Sequence, residues 1–132
     1  MLLVDTNVLV DVVQDDPEWS EWAIGQLRAQ SAAHVLAINP IIYAEISLSY
    51  SSVEAVDEVL EKLGIELREI SRAALFLAAR AFAAYRKRGG SRTCVLPDFF
   101  IGAHAAVEGW PLLTRDAKRF RTYFPTLTVL AP

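Results

Sequence analysis

Cysteine is nearly absent from this sequence, and its single cysteine, Cys94, cannot form an internal disulfide. Such sparse use of cysteine is consistent with a reducing compartment. Long apolar runs are absent too, because charged residues interrupt every apolar stretch well short of the roughly 20 residues that a membrane-spanning helix needs. No basic leader comes first, and Asp5 lies where the apolar region of a signal peptide would be. We therefore expect a cytoplasmic protein.

Basic residues are scarce in the first half of the chain. Residues 1–66 include two basic and twelve acidic side chains, whereas residues 67–132 include eleven basic and four acidic ones. The net charge of −3 argues against a nucleic-acid ligand, but a chain polarised in this way can present a basic face to a phosphate backbone. An ordinary surface of mixed charge accounts for the same counts, and both interpretations stay open on this feature alone.

Apolar residues, by contrast, are plentiful: 53% of the 132 residues are hydrophobic and 22% are charged. This composition excludes an intrinsically disordered chain, and the length suits one domain with its own core, residues 1–132. Apolar, β-branched runs predict strands at 2–5, 34–38, 66–70, 112–114 and 127–130. Helical patterns cover residues 17–30, 41–50, 52–63, 71–88, 98–108 and 116–123.

The alternation of strands and helices predicts an α/β fold, with a mostly parallel central sheet of about five strands and helices on both faces. Ligands of such sheets bind beyond the carboxyl ends of the strands. Asp5 has that location, because it ends the first predicted strand.

Four acidic residues stand out by their surroundings, namely Asp5, Glu45, Asp98 and Asp116. Asp5, Asp98 and Asp116 each stand where a helix is predicted to begin, so an N-cap explains each of them separately. Glu45 differs, because Ile41 and Leu48 share its helical face and a buried glutamate needs a partner or a bound cation. A partner such as an arginine would meet that need as well as a metal ion.

A parallel sheet would bring the four carboxylates together at one end. Two carboxylates about 5 Å apart repel by roughly 3 kcal/mol at an effective dielectric constant near 20. A cluster of this kind must hold protons or bind hard cations, and ligand sets made only of oxygen suit Mg²⁺ or Mn²⁺. We therefore interpret Asp5 as a metal ligand rather than as a cap alone.

The segments that carry these acids resemble the PIN-domain nucleases, and most closely the VapC-type toxins of type II toxin–antitoxin pairs: LLVDTNVLVD, INPIIYAEIS, LPDFFIGAHA and LLTRDAKRF. The likeness covers essentially the whole chain, in the family's order and near its usual spacing. Each motif alone is only an acid in an apolar setting, but the four together are specific. Two positions depart from the pattern without touching the acids. Asn39 stands where many relatives have Ser or Thr, and Phe100 replaces a common aliphatic residue.

This resemblance implies a metal-dependent endoribonuclease that acts as a toxin, with Asp5, Glu45, Asp98 and Asp116 as its catalytic and metal-binding acids. Asp5 and Asp98 would be the direct ligands of Mg²⁺ or Mn²⁺. Further polar residues would support the acids or lie near the substrate, namely Thr6, Asn7, Thr114 and Arg115. A metal-activated water would hydrolyse RNA phosphodiester bonds and leave 5′-phosphate and 3′-hydroxyl ends. The implied partners are the RNA substrate, a cognate antitoxin protein and a second copy of the chain.

A basic, glycine-containing loop leads from the helix predicted at 71–88 towards Asp98. We predict that its charged residues hold RNA phosphates through salt-sensitive contacts; they are Arg86, Lys87, Arg88 and Arg92. A solvated helix end explains the same residues, because positive charge also suits the C-terminus of a helix. Trp19 and Trp22 are left open in the same way, between core packing and the apolar groove in which the family's antitoxins bind.

Other assignments fit the sequence less well. Neither histidine suits a metal-free ribonuclease, because His34 begins a predicted strand and His104 lies in an apolar stretch of helix, and Cys94 has no catalytic neighbour. A receiver domain would need paired acids at the first strand, and a haloacid-type phosphatase would need an aspartate where Asn7 stands. The alternative that stays open is a catalytically idle PIN fold that binds RNA or protein.

Overall fold

Five short strands lie at the centre of the molecule, and the computed structural model describes the whole chain, residues 1–132. The strands are β1 (Leu2–Val4), β2 (Leu36–Ile38), β3 (Ile65–Leu67), β4 (Leu112–Leu113) and β5 (Val129–Leu130). The helices are α1 (Thr6–Val13), α2 (Ser20–Ser31), α3 (Pro40–Ile46), α4 (Val53–Leu63), α5 (Arg72–Lys87), α6 (Pro97–Glu108) and α7 (Lys118–Tyr123), with a 3₁₀ turn at Ser47–Ser49 after α3.

The sheet has the order β3-β2-β1-β4-β5, and all four strand pairs are parallel. Successive strand residues point to opposite faces, and Leu2, Leu3 and Val4 are all fully buried. Both faces of the sheet are therefore covered at its centre, which confirms the predicted α/β architecture. None of the helices has the length and apolar character needed to span a bilayer.

The strand order creates a switch point at the carboxyl end of β1. From β1 the chain moves to β2 on one side, whereas β4 lies on the other side of β1. Connections that leave a sheet in opposite directions open a crevice between them, and this crevice is where open α/β sheets bind ligands. Asp5 follows β1 and Thr114 follows β4, so both stand at this crevice.

The helix predicted at 17–30 begins later, at Ser20. The side chain of Asp16 accepts hydrogen bonds from the backbone N–H groups of Glu18 and Trp19, both at 2.9 Å, and these bonds stabilise a turn. Pro17 therefore lies in that turn rather than in the first turn of α2. Trp19 is the residue that precedes α2, and its ring meets the ring of Trp22 edge-on at 6.1 Å.

The helix predicted at 41–50 is shorter than expected and ends at Ile46. The hydroxyl of Ser47 donates to the carbonyl of Tyr43 at 2.6 Å, and the chain tightens into the 3₁₀ turn. Leu48 consequently does not share a buried face with Glu45, because its side chain is 90% exposed. The prediction that Glu45 shares a buried helical face with Leu48 is wrong, and Glu45 itself is half-buried.

Other boundaries moved by a few residues. The second, third and fifth strands are shorter than predicted, and His34 precedes β2 instead of beginning it. The last helix starts at Lys118, so Asp116 lies two residues before it. These shifts leave every acid at the predicted end of the sheet or on the predicted helix.

Candidate active site

Asp5 is the buried centre of the crevice, with only 5% of its surface exposed. Its backbone N–H donates to the carbonyl of Leu113 at 2.9 Å, which ties the end of β1 to β4. Its Oδ1 accepts from the backbone N–H of Thr6 at 2.7 Å, and its Oδ2 accepts from the hydroxyl of Thr114 at 2.7 Å. Asp5 thus caps α1 and faces the crevice at once, so the cap is confirmed, and its part as a metal ligand stays a prediction.

Glu45 joins Asp5 through one intervening side chain. The hydroxyl of Thr6 donates to Oε1 of Glu45 at 2.6 Å, while the backbone N–H of the same threonine binds Asp5. No arginine or lysine pairs with Glu45 within 4 Å. The arginine partner that the sequence left open is therefore absent, and a threonine holds the glutamate instead.

Asp98 is the second residue of α6 and does not cap it, because Leu96 is the residue before the helix. Its Oδ2 lies 3.3 Å from Nη1 of Arg119, and the two side chains are 39% and 40% exposed. Burial raises the pKa of Asp98, the Arg119 guanidinium opposes that rise, and the charge of Asp116 adds to it. Asp98 and Asp116 are therefore close enough to sense each other's charge.

Asp116 is the exposed member of the group. Its backbone N–H donates to the hydroxyl of Thr114 at 3.1 Å, and its carboxylate makes no hydrogen bond. It does not cap α7, which begins after Ala117 without a side-chain cap. Thr114 thus stands between a buried acid on one side and the backbone of an exposed acid on the other.

The carboxylate of Asp5 has no cationic partner of its own. The pKa of this carboxyl rises from 3.8 to about 7, and burial is the largest cause. The hydrogen bond from Thr114 opposes the rise and the charge of Asp98 adds to it. Two smaller effects follow, because the amide of Thr6 lowers the pKa and the charge of Glu45 raises it. A buried carboxylate without a cationic neighbour favours a proton or a bound cation.

The acidic side chains at this site supply only oxygen donors, the type that Mg²⁺ and Mn²⁺ bind. No three His, Cys, Asp or Glu side chains lie close enough together to enclose an ion on their own. Mg²⁺ usually keeps several waters and is held by one or two carboxylates together with substrate phosphates, so a full protein cage is not required. Carboxylate oxygens are the ligands that this hard cation prefers. The chemistry of the donor set therefore fits such an ion, and Asp5 and Asp98 remain the predicted ligand pair.

The sequence and the fold have known counterparts. The model of the PIN domain matches residues 2–124. The chain belongs to the PIN domain family. No curated protein matches the chain in sequence.

Several solved structures share the fold of this PIN domain at low sequence identity. One is VapBC2 from Rickettsia felis bound to a DNA fragment from its promoter, with a TM-score of 0.76, 20% identity, and 99% of this chain and 98% of that chain covered. Another is DNA-bound VapBC from Salmonella typhimurium, with a TM-score of 0.71, 19% identity, and coverage of 99% and 98%. A third is VapBC-1 from nontypeable Haemophilus influenzae, with a TM-score of 0.72, 17% identity, and coverage of 98% and 96%.

Asn7 supports the site of this PIN domain from α1. Its Oδ1 accepts from the backbone N–H of Arg115 at 3.1 Å, and its Nδ2 lies 3.4 Å from the hydroxyl of Thr114. Asn7 therefore connects α1 to the segment that follows β4. Together with Thr6 and Thr114, it holds the acids in place through side-chain hydrogen bonds.

Arg115 was expected near the substrate, and the structure places its guanidinium on a different partner. Its Nε lies 2.8 Å from Oδ2 of Asp11, and its Nη2 donates to Oδ1 of the same residue at 3.3 Å. Asp11 is only 3% exposed, and the guanidinium also lies over the ring of Trp19 at 5.5 Å. Sequence reasoning missed Asp11, although its spacing of four residues from Asn7 places both on one face of α1.

The basic loop of the PIN domain is partly engaged with itself. Nη1 of Arg86 donates to the backbone carbonyl of Arg92, and the guanidinium of Arg88 lies 5.2 Å from the centre of the Tyr123 ring. Lys87 is exposed at the end of α5. None of these four residues forms an ion pair with the acids, whose only cationic contact is Arg119.

The remaining residues singled out in the sequence pack as structural groups. His104 is fully buried, its Nδ1 lies 3.2 Å from Nδ2 of Asn39, and burial lowers its pKa. Cys94 is a free, exposed thiol. Both tryptophans are half-buried; Trp22 packs against the core, whereas the ring of Trp19 lies under the guanidinium of Arg115.

Proposed function

We propose that this PIN domain is a metal-dependent endoribonuclease and the toxin of a toxin–antitoxin pair. The observation that carries the proposal is the buried carboxylate of Asp5 at the switch point, facing the charges of Asp98 and Glu45 without a cationic partner of its own. An arrangement that favours a bound cation at a crevice, in a family with this fold, supports metal-assisted hydrolysis of a phosphodiester.

Asp5 and Asp98 are proposed as the direct ligands of Mg²⁺ or Mn²⁺, with Glu45 and Asp116 beside them. When bound, such an ion lowers the pKa of a water molecule and neutralises charge on the scissile phosphate. The residues of the chain orient the carboxylate ligands. Thr114 and the amide of Thr6 fix both oxygens of Asp5, so this carboxylate presents one geometry to a ligand.

The two outer acids are proposed to handle protons. Asp116 is exposed and its carboxylate makes no hydrogen bond, so it is able to accept a proton from the attacking water. Glu45 is held by the hydroxyl of Thr6 and is proposed to orient that water. We propose that the water displaces the 3′-oxygen of the scissile phosphate, which leaves a 3′-hydroxyl end and keeps the phosphate, with the water's oxygen, on the 5′ end of the other fragment.

The toxin assignment rests on the likeness to VapBC assemblies and on a surface of the chain. An apolar depression lies between α1, the 3₁₀ turn and α4; its lining includes Leu9, Val13, Tyr50, Val59, Leu60 and Leu63. The depression is narrow, so it suits a single apolar side chain of another protein rather than a whole segment. We propose that a cognate antitoxin occupies it, that the chain forms a homodimer, and that both act in the cytoplasm.

Cleavage of a total RNA pool by the purified protein tests the proposal. We expect discrete fragments with Mg²⁺ or Mn²⁺, none with EDTA, and a loss of at least 100-fold in rate for Asp98→Asn, which removes one charged ligand. Asp15→Asn is the matched control, since Asp15 is an exposed acid at the far end of α1 with a φ of 49° that asparagine tolerates.

The alternative, an idle PIN fold that only binds RNA or protein, predicts no cleavage in any lane. Full activity of Asp98→Asn would remove Asp98 from the site. Activity that persists in EDTA would refute the metal.

A further inference from the structure

Helix α1 carries a second buried acid, Asp11, which the proposed chemistry does not use. Only 3% of its surface is exposed, and the one side chain that its carboxylate contacts is Arg115, 104 residues further along the chain. A charge buried this deeply is costly without a partner. Asp11 therefore ties α1 to the segment that contains its partner.

The contact between Asp11 and Arg115 is an ion pair that is partly sheltered from water. Nε of Arg115 lies 2.8 Å from Oδ2 of Asp11, and Nη2 donates to Oδ1 at 3.3 Å. The guanidinium carbon lies 5.5 Å from the centre of the Trp19 ring, and only 36% of the arginine side chain is exposed. Exclusion of water strengthens the attraction between unlike charges. The pair is therefore suited to hold a segment of backbone in place.

Arg115 is tied to α1 at a second point, through its backbone. Its N–H donates to Oδ1 of Asn7 at 3.1 Å. Asn7 and Asp11 are four residues apart, so they lie on one face of α1. This face thus holds both the backbone and the side chain of Arg115.

The residues on either side of Arg115 belong to the acidic site. The hydroxyl of Thr114 donates to Oδ2 of Asp5 at 2.7 Å and accepts from the N–H of Asp116 at 3.1 Å. The carboxylate of Asp116 is exposed and makes no hydrogen bond of its own. Its location therefore depends on the backbone of residues 114–116, which the two contacts of Arg115 hold.

We propose that Asp11 is a positioning residue, which acts through Arg115 to hold residues 114–116 and thereby places Asp116 at the site. Asp11 itself touches neither the substrate nor a metal ion. The catalytic consequence rests on the proposed ribonuclease function, whereas the tether between α1 and this segment does not depend on it.

Hydrogen exchange followed by NMR tests the tether without RNA or metal, under conditions where the exchange rate reports the opening equilibrium. Asp11→Asn keeps the size of the side chain and removes its charge. We expect it to raise the unfolding constant, measured in urea, and the exchange rates of the Arg115 and Asp116 amides by the same factor, roughly ten-fold. The factors agree because release of the segment and global unfolding both break the ion pair.

Asp15→Asn is the matched control, since Asp15 is an exposed acid just beyond the same helix and forms no ion pair. We expect it to change neither quantity. An Asp11→Asn protein that is less stable, but whose Arg115 and Asp116 amides exchange as in the wild type, would refute the proposal. Asp11 would then stabilise the fold without holding this segment.

Cleavage of RNA with Mn²⁺ tests the consequence for Asp116, at a temperature where thermal melts show each variant to be folded. We expect Asp11→Asn to lower kcat about ten-fold and to leave KM unchanged, because a catalytic group is misplaced while substrate binding is not altered. On the Asp116→Asn background, the same substitution should change the residual kcat by less than about two-fold, because the carboxylate that it positions is already gone.

The outcomes separate this inference from the function on which it rests. Equal losses of kcat from Asp11→Asn in the wild type and in Asp116→Asn would refute the positioning of Asp116, while RNA cleavage by the wild-type protein stands. Wild-type protein that cuts no RNA would refute the proposed function, and the exchange rates would still decide whether Asp11 holds the segment.

Discussion

At the scale of single residues, Asp5 combines two tasks that usually belong to different side chains. It caps α1 through the N–H of Thr6, and it places a buried carboxylate in a crevice where Asp98 and Glu45 add negative charge. The stability that a cap contributes is therefore opposed by the electrostatic cost of the carboxylate. A site that is costly without its ligand is a common property of functional centres.

This cost predicts how stability depends on pH in EDTA. Below about pH 4, Asp5 is protonated in both states; between pH 4 and 7 it is protonated when folded but ionised when unfolded, so folding takes up a proton. The free energy of unfolding of the wild-type protein should therefore fall as pH rises from 4 to 7. Each pKa unit is worth about 1.4 kcal/mol, which gives a fall of about 4 kcal/mol.

Urea unfolding at several pH values measures this fall. Asp5→Asn should lose the contribution, so the difference between the wild type and this variant changes with pH, while Asp15→Asn should follow the wild type. Parallel pH profiles of the wild type and Asp5→Asn would contradict the raised pKa.

Most of the site could be named from the sequence at this scale, because acids in apolar surroundings are recognisable without coordinates. Asp5, Glu45, Asp98 and Asp116 all stand at the crevice or beside it, though their catalytic parts remain predictions. Asp11 and Arg119 escaped notice, since their partners lie 104 and 21 residues away along the chain. Pairings of that kind depend on how the elements pack, which no local pattern encodes.

At the scale of elements, Asn39 connects the helix that carries Glu45 to the helix that carries Asp98. Its Oδ1 caps α3 by accepting from the N–H of Ile42 at 3.0 Å, so its amide group is left to donate to Nδ1 of His104 in α6. Both side chains are fully buried. The departure from Ser or Thr at this position therefore has a structural reason, because only a longer side chain caps one helix and reaches the other.

Substitution of Asn39 should separate these two contributions. Asn39→Ser keeps a capping hydroxyl but loses the bond to His104, and it should cost about 1–3 kcal/mol. Asn39→Ala loses the cap as well and should cost about 1 kcal/mol more. Urea unfolding of both variants measures the difference. Equal stability of Asn39→Ser and the wild type would show that the contact between α3 and α6 does not matter.

Arg115 gives a second test between elements, because it joins the segment after β4 to α1. Removing its charge leaves Asp11 buried without a partner, so Arg115→Met should destabilise the fold by about 3–5 kcal/mol. Adding Asp11→Leu should recover much of that loss, as a double-mutant cycle measures. An Arg115→Met protein of unchanged stability and weakened RNA affinity would instead place Arg115 at the substrate.

Element boundaries were harder to predict than element types. The predicted helix 41–50 ended early because Ser47 binds the carbonyl of Tyr43, and α2 started late because Asp16 holds a turn. Side chains that compete with the backbone for hydrogen bonds decide such ends. The spacing of apolar residues predicts that a helix forms, but it carries no information about these side-chain hydrogen bonds at the helix ends.

At the scale of the whole molecule, the fold shows where the basic second half of the chain lies. The basic second half supplies α7, which lines a cleft beside Asp98 and Asp116, and the loop after α5, whose Arg88 lies over the ring of Tyr123. The charge pattern of the sequence predicted a basic face but not its position. Basic residues after β4 lie near the acids because the sheet order places β4 next to β1. Alternating strands and helices predicted the fold class, but not which strands are neighbours.

The chemistry of the RNA ends is the measurement that tests the central claim most directly. An RNA oligonucleotide is cut by the wild-type protein with Mn²⁺, and the products are weighed by mass spectrometry. Hydrolysis by a water at the acidic site predicts 5′-phosphate and 3′-hydroxyl ends in the wild type and no products from Asp98→Asn. Products with 2′,3′-cyclic phosphate and 5′-hydroxyl ends would contradict the account, because they arise when the RNA's own 2′-hydroxyl attacks.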